Sequence, residues 1–321
     1  MDASEPRLFG IVPTFRRPEE LAVSLRVSAD QSRPLDVLYV VDNSDLPENE
    51  RAVASYVELG HAAHYLRMPE NRGPAGAIAF AMDRIGDEAS NDDWIVLLDD
   101  DDPLPDRSIL ADLLASGREM LARDRRLAAV GVRGAIMDWR RARLLRVDGS
   151  EAGYAAVDYL WSNWAPFYRV GPALAVGGYA SELFFGFEEL EFGLRLRAAG
   201  YSLYVFDANR RRPRPERNRT PDPKRGLDPL DWRRYYSLRN LIHILRTNGY
   251  SATAARVALV RGIGKPLANL PVTPRLALAH LRRNLAAIDD GWRGRLGRTL
   301  EPDGSRRAMK TSIDASLRGG S

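Results

Sequence analysis

Apolar residues arrive along this chain in short blocks with two alternating rhythms. "LFGIV" (8–12), "VLYVVD" (37–42), "HYLRM" (64–68) and "WIVLLD" (94–99) are compact, β-rich runs. Between them, "PEELAVSLRVSADQ", "LPENERAVASYVEL" and "GPAGAIAFAMDRIG" read as helices. Pro18 suits the first turn of one, and Gly73 with Pro74 opens another. "PDRSILADLLASGREMLARD" (105–124) predicts a further helix, and "LAAVGVRGAIM" (127–137) a fifth strand. Strands that are apolar along their whole length, alternating with helices, predict an α/β fold. Its sheet is expected to be parallel and covered on both faces.

In such sheets ligands bind beyond the carboxyl ends of the strands, where the strand order reverses. Those ends are unusually polar here. After the first strand comes Pro13-Thr14-Phe15-Arg16-Arg17, after the second Asp42-Asn43-Ser44, after the third "ENRGPAG", and after the fourth Asp99-Asp100-Asp101-Asp102. A site on that rim is expected. The second half is less regular. An aromatic, glycine-rich stretch leads to a helix starting near Glu188. "NRRRPRPERNRTPDPKRGLDP" reads as an irregular basic loop. From Asp231 onward helices dominate, and a polar tail from about Pro302 is expected to be mobile.

Composition narrows the function less than the rim does. The 321 residues have a net charge of +4, too small an excess to argue for nucleic acid on its own. There is no cysteine, which excludes disulfides and thiolate metal sites and fits a reducing compartment. "MDASEPRLFG" is not a basic, apolar leader, so no signal peptide is expected, and no apolar run is long enough to span a membrane.

Carboxylates at alternate positions after a buried strand can hold a hard divalent cation, which in turn binds a diphosphate. A solvated acidic turn is the plainer reading. Glu188, Glu189 and Glu191 open a helix, where acidic residues favourably meet the helix dipole. With Phe184, Phe185 and Phe187 beside them, one glutamate could equally hold a raised proton affinity and act as a general base. "ENRGPAGA" matches neither the P-loop nor the dinucleotide pattern. The four histidines show no metal spacing.

In this order, "IVPTFRRPEEL", "VVDNS", "ENRGPAGA", "LLDDDDPLPD" and "GFEELEFGLRLRAAGY" resemble the family-2 glycosyltransferases of the GT-A fold. "YYSLRN" (235–240) is similar to a segment of bacterial rhamnosyl- and galactofuranosyltransferases. The resemblance implies an inverting, metal-dependent transferase. It would move a sugar from a UDP- or dTDP-linked donor to an acceptor hydroxyl, in glycan or glycoconjugate biosynthesis. It implies a GT-A domain over 1–230, with a nucleotide-sugar half (about 1–125) and an acceptor half (126–230). A helical extension with a tail would follow over 231–321. Pro13, Thr14, Arg16, Asp42, Asn71, Arg72, Gly73 and Asp100 are implied to line the nucleotide-sugar site. Asp99 and Asp101 are implied to hold Mn2+ or Mg2+, with an Asp100/Asp102 register as the alternative. Glu189 is implied as the catalytic base, with Glu188 beside it, where the family more often has aspartate. The family's histidine ligand has no counterpart in "ANRRRPRP".

Trp161, Trp164, Phe167 and Phe187 are candidate acceptor contacts, with a core role as the alternative. The acceptor is a saccharide, a glycolipid or a small molecule. Two other functions fit parts of the chain. A sugar-phosphate nucleotidyltransferase would share the sheet and the metal, but "PTFRRPEE" lacks its glycine-rich loop. A nucleic-acid-binding protein could use Arg210 to Arg219, although no aromatics interleave there for stacking and no nucleic acid is expected. The C-terminal helices mix Leu, Val and Ala with Arg. They suit either packing on a protein core, a homodimer contact, or the surface of an anionic membrane. The expected location is cytoplasmic, with the inner membrane face as the place of any such contact.

Overall fold

Successive residues of the first strands point to opposite faces, and both faces are covered. Leu8, Val12, Leu38, Val40, Trp94 and Val96 belong to one buried cluster. Phe9, Ile11, Tyr39, Val41, Ile95 and Leu97 belong to another. This is why the strands read as apolar runs instead of alternating ones. The structure, a computed structural model, describes residues 5–147, 152–210, 227 and 230–301. The arginine-rich stretch read as a basic loop lies outside these residues from 211 onward, Leu227 apart, as does the tail from 302. The chain falls into two compact units, Met1–Lys224 and Arg225–Ser321.

In the first unit, five strands and four helices alternate through β1 (Leu8–Thr14), α1 (Pro18–Ala29), β2 (Val37–Asp42), α2 (Pro47–Glu58), β3 (Ala63–Arg67), α3 (Gly73–Gly86), β4 (Trp94–Leu97), α4 (Ile109–Arg123) and β5 (Leu127–Gly131). Then come β6 (Gly134–Asp138), β7 (Arg143–Arg146), β8 (Tyr154–Val157), β9 (Tyr159–Leu160) and β10 (Phe167–Arg169). They are followed by α5 (Val170–Ala175), α6 (Glu188–Ala198), β11 (Ser202–Phe206) and α7 (Asp207–Arg210). The main sheet has eight strands in the order β3-β2-β1-β4-β10-β5-β11-β8. Helices α1, α2 and α4 supply Leu21, Leu25, Val53, Tyr56 and Leu113 to one face. Helices α3, α5 and α6 supply Ile78, Ala81, Ala173, Phe192 and Leu196 to the other.

Two features depart from the sequence reading. First, 127–137 is not one strand. It breaks after Gly131, and β6 joins a separate three-stranded sheet, β7-β6-β9. Arg133 sits at the break with its guanidinium 4.2 Å from the Trp164 ring centroid, a position that a strand buried on both faces could not give it. Gly134 permits the new pairing, since a Cβ there would lie 2.6 Å from the Tyr159 carbonyl oxygen. Second, the sheet is mostly, not wholly, parallel. β10 runs antiparallel to both β4 and β5, and β8 antiparallel to β11.

The strand order reverses at β1. From β1 the chain moves outward through β2 to β3, then returns to the other side with β4. The first turn after β1 and the aspartate turn after β4 therefore flank the switch point, the place where sheets of this kind bind ligands.

The second unit is helical: α8 (Trp232–Thr247), α9 (Ser251–Val257), a π-helical stretch (Ala258–Gly264), α10 (Lys265–Ala268) and α11 (Pro274–Arg293). Its interior is polar in a specific way. Tyr235, Tyr236, Arg239 and Asn240 of α8 are fully buried. Arg239 donates to Asn240 Oδ1 (2.9 Å), the Gly297 carbonyl (2.6 Å) and Thr299 Oγ1 (3.2 Å). Tyr236 OH donates to the Leu300 carbonyl (2.8 Å) and accepts from its N–H (3.0 Å). Tyr235 OH is bonded to Asp290 of α11. The "YYSLRN" segment thus ties α8 to α11 and to residues 297–300.

Candidate functional site

At the switch point the aspartate turn meets the end of β1. Thr14 Oγ1 donates to Asp100 Oδ2 at 2.9 Å. The Arg17 guanidinium, one residue before α1, lies 3.1 Å from Asp100 Oδ1 and 2.7 Å from Asp101 Oδ2. Ser24 Oγ of α1 donates to the Asp99 carbonyl (2.7 Å), and the Asp101 N–H to Asp99 Oδ1 (3.2 Å). One carboxylate oxygen from each of Asp99, Asp100 and Asp101 lies within 4.8 Å of the others. Burial first, then the neighbouring Asp101 carboxylate, push the Asp99 carboxyl up to about 7, against the pull of the Asp101 N–H. Burial also raises Asp100, although Thr14 and Arg17 counteract it. The adjacent carboxylates are thus tolerated because one guanidinium and the Thr14 hydroxyl are built in among them, and because part of the charge is held back as protons.

Arg17, not Arg16, faces the aspartates. Arg16 has φ 57°, and its guanidinium sits 5.2 Å from the Phe15 ring centroid. Pro13 is half-buried in β1, in register with Val41. Asp42 is fully buried. Its Oδ1 accepts from Ser44 N (2.7 Å) and Ser44 Oγ (2.5 Å), and its Oδ2 from Leu46 N (3.1 Å) and Tyr65 OH (2.6 Å). Burial would raise its proton affinity, but these bonds hold the carboxyl below the usual range. In this arrangement Asp42 shapes the turn after β2 and has no free oxygen. Asn43, which the sequence reading left without a role, positions the next segment. It accepts from Arg72 N (3.0 Å) and donates to the Gly73 carbonyl (3.3 Å). Asn71 Oδ1 accepts from Gly73 N at 2.8 Å, and the Arg72 side chain is exposed.

Gly73 connects this rim to the second half of the unit. Its φ is +70°, and a Cβ would lie 2.0 Å from the Phe184 carbonyl oxygen. Only glycine allows that approach. The segment it touches is itself tightly bent: Phe184, Gly186 and Phe187 all have positive φ, at 63°, 83° and 67°. Phe187, half-buried, ends the bend and starts α6.

The three glutamates of the first turn of α6 separate cleanly. Glu191 accepts from Arg195 Nε (2.6 Å) and one terminal nitrogen (2.8 Å), and so is a structural pair. Glu189 Oε1 accepts from Ser162 Oγ at 2.6 Å. Glu188 is buried, and its Oε2 has no hydrogen-bond partner. Among the described residues neither Glu188 nor Glu189 has a cationic partner. Burial, then the Glu189 charge, push Glu188 well above the usual carboxyl range. Burial raises Glu189 as well, against the Ser162 hydrogen bond.

Of the aromatic candidates, Phe167 is fully buried in β10 and Trp164 is 8% exposed within the core, stacked beneath Arg133. Neither presents an open face to a sugar ring. Trp161 is half-buried under Arg146, at 4.8 Å. Trp164 has a different use. It lines a small cavity together with Asp99 and Asp102, and it shares one short turn with Ser162. That turn links the aspartates to Glu189. Arg17, Asn43 and Ser162 had no sequence signal of their own. Arg17 is one of two adjacent arginines, and Ser162 is an ordinary serine more than twenty residues from its partner.

Comparison with known proteins agrees with this layout. Residues 11–140 match the family Glycosyl transferase family 2. Galactofuranosyltransferase GlfT1 of Mycobacterium tuberculosis is 32% identical over 206 residues, 60% of this chain and 65% of that protein. The match thus spans less than two thirds of that relative's length. Among solved structures, GalNAc-T7 with UDP, GalNAc and Mn2+ aligns with a TM-score of 0.52 at 12% identity, over 64% of this chain and 43% of that one. Mannosyltransferase PcManGT from Pyrobaculum calidifontis, in complex with GDP-Man and Mn2+, aligns at 0.50 and 19% identity, over 90% of this chain and 87% of that one. The fold is thus similar to that of these two glycosyltransferase structures, and residues 11–140 of this chain resemble a glycosyl transferase family 2 domain.

Proposed function

We propose that the chain is an inverting glycosyltransferase that moves a hexosyl group from a nucleoside-diphosphate sugar to a hydroxyl of a saccharide acceptor. The observation that carries this reading is the pair of carboxylate clusters joined by one short turn, with Asp99 and Asp102 at one end and Ser162-bound Glu189 at the other. The name of the mycobacterial relative makes a galactofuranosyl donor the first to test. UDP is the first nucleotide to try and dTDP the second.

The nucleotide-sugar half is proposed to span about 1–125 and the acceptor half 126–230. Pro13, Thr14, Asn71, Arg72 and Gly73 would form the donor side, with Asp42 acting through the turn it shapes. Asp99, Asp100 and Asp101 fit a hard divalent cation, Mn2+ or Mg2+, because all their donors are oxygen and lie within 4.8 Å of one another. When bound, such an ion neutralises charge on the departing diphosphate. Arg17 meets both Asp100 and Asp101, but Asp100 also accepts from Thr14, which favours Asp99 and Asp101 as ligands and Asp100 as their anchor. Arg17 adds a fixed positive charge on the same side.

Glu189 would accept the proton of the acceptor hydroxyl. As that proton leaves, the acceptor oxygen forms a bond to the anomeric carbon from the face opposite the diphosphate. The bond from that carbon to the phosphate oxygen breaks, and the nucleoside diphosphate carries away the electron pair. Ser162 fixes Oε1 and leaves Oε2 for the substrate. Burial gives the carboxylate the raised basicity this step needs. Trp161 and Phe187 remain the aromatic candidates beside the acceptor. The C-terminal helices would supply any contact with a membrane or a second copy.

Titration calorimetry with UDP and dTDP, each with and without Mn2+ or Mg2+, tests the reading. Metal-dependent heat with at least one nucleotide is expected. Silence from both, with metal present, would sink it.

A further inference from the structure

We propose that the outer face of α11, together with the π-helical stretch before it, is a docking surface for an anionic lipid bilayer. The inner face of α11 is fixed by contacts within its own unit. Ala277, His280 and Ala287 are buried. Asn284 donates to the Gly262 carbonyl of the π-helical stretch at 2.8 Å. The two elements meet so closely at Gly262 that a Cβ there would lie 2.7 Å from Ile288 Cδ1.

The opposite stripe of α11 is not the polar face that a surface helix ordinarily shows. Arg275, Leu278, Arg282, Leu285, Asp289 and Trp292 follow one another at spacings of three, four, three, four and three residues, so they share one side of the helix, and Asp289 is paired with Arg293 and Arg295 of its own chain. Leu278 is 51% exposed, Leu285 47% and Trp292 40%. A single exposed leucine is unremarkable. Here large apolar side chains recur on the same face every seven residues, and the preceding segment adds Leu259, Val260 and Val272, which are more exposed still.

Charge selects the occupant. From Trp232 to Ile288 the chain contains no aspartate or glutamate, but nine arginines and one lysine. Most of the other acidic residues lie in the first unit. A second copy docking along the stripe would bring Arg275 and Arg282 of both chains onto one seam, where the one acidic residue of the stripe, Asp289, is already paired with Arg293 and Arg295 of its own chain. An anionic headgroup layer pairs with those arginines, while leucine and tryptophan side chains enter the acyl boundary. Among the described residues no helix is long and apolar enough to cross a membrane, so the helix would lie along the surface.

Vesicle co-sedimentation of the full chain tests this without using turnover, so its outcome is separable from that of the transferase reading. Vesicles of phosphatidylcholine with about a third phosphatidylserine are expected to bind the protein, and pure phosphatidylcholine vesicles to bind it far less. Removing both interfacial charges with Arg275→Gln and Arg282→Gln is expected to weaken partitioning about thirtyfold. Leu278→Ser with Leu285→Ser is expected to weaken it about tenfold. All four positions are outward-facing, so circular dichroism and the melting midpoint should stay near those of the parent chain, and a variant that melts early is replaced by Leu278→Gln alone. The proposal is overturned by absence of binding to anionic vesicles, or by binding indifferent to both pairs of substitutions. It is also overturned by a dimer in sedimentation equilibrium that Leu278→Ser dissociates, which would make the stripe a contact between copies.

Discussion

Two acidic clusters of the first unit are linked through the Ser162–Trp164 turn, and their carboxyl groups have different neighbours. At the end of β4, Asp100 and Asp101 are paired with Arg17, and Asp100 also accepts from Thr14. At the start of α6, Glu188 and Glu189 have, among the described residues, the helix N-terminus and one serine hydroxyl. At the first cluster a built-in guanidinium and a threonine hydroxyl oppose the rise in proton affinity that burial causes at Asp100. The second is arranged to bind protons. Burial raises proton affinity at both, so the neighbours separate them: a guanidinium suits the proposed cation and phosphate site, and the lack of one among the described residues suits the proposed base.

The largest test of this contrast is Glu189→Gln. The substitution keeps the shape but removes the proton acceptor, so kcat is expected to fall about a thousandfold while nucleotide affinity stays within about twofold. A near-normal rate would break the comparison and move the base to Glu188.

A middle-sized effect is expected at the other cluster. The Asp99 carboxyl titrates near pH 7 because of burial and its neighbour Asp101, and a cation takes the deprotonated form. Mn2+ binding should therefore release protons near neutral pH and weaken by up to about tenfold per pH unit as pH falls below about 7. Calorimetry in buffers of different ionisation enthalpy measures both. Binding without proton release would show that the aspartates are already fully ionised.

The smallest effect sharpens the role of Glu188. Its proton affinity is raised in the fold by burial and by Glu189, so the native state holds the proton more tightly than the unfolded chain does. That contribution to stability is complete below the ordinary carboxyl range and is lost as pH rises through the raised value. Glu188→Gln should then melt about 3–5 °C higher than the parent chain at pH 8, with the gap closing towards pH 4. An unchanged midpoint at pH 8 would mean that water or a cation already stabilises the charged form.

Much of the first unit was legible because each strand and helix carried its own local signal. The runs that became β1 to β4 and α1 to α4 have a period and end residues that name them without reference to the rest of the chain. The order of the polar rims also follows, since a doubly wound sheet puts every loop after a strand on one side. β10 was not legible. Three residues, Phe167 to Arg169, have no period to read, and their place at the centre of the sheet is decided by partners on both sides. Arg133 hid the break between β5 and β6 because its destination, the face of Trp164, lies thirty residues further on.

The sequence alone determined that an acidic run would follow the fourth strand and that glutamates would open a helix further along. Those are properties of residue type and of local period. Only the tertiary structure decided that Arg17 and not Arg16 serves the aspartates, that Glu191 is paired with Arg195 while Glu189 is held by Ser162, and that Trp164 is core. It also decided that "YYSLRN" ties α8 to α11. Each of these depends on which side chains distant in sequence become neighbours, and the energies that separate the alternatives, a charge pair made or a buried carboxyl left alone, exist only once the chain has brought them together.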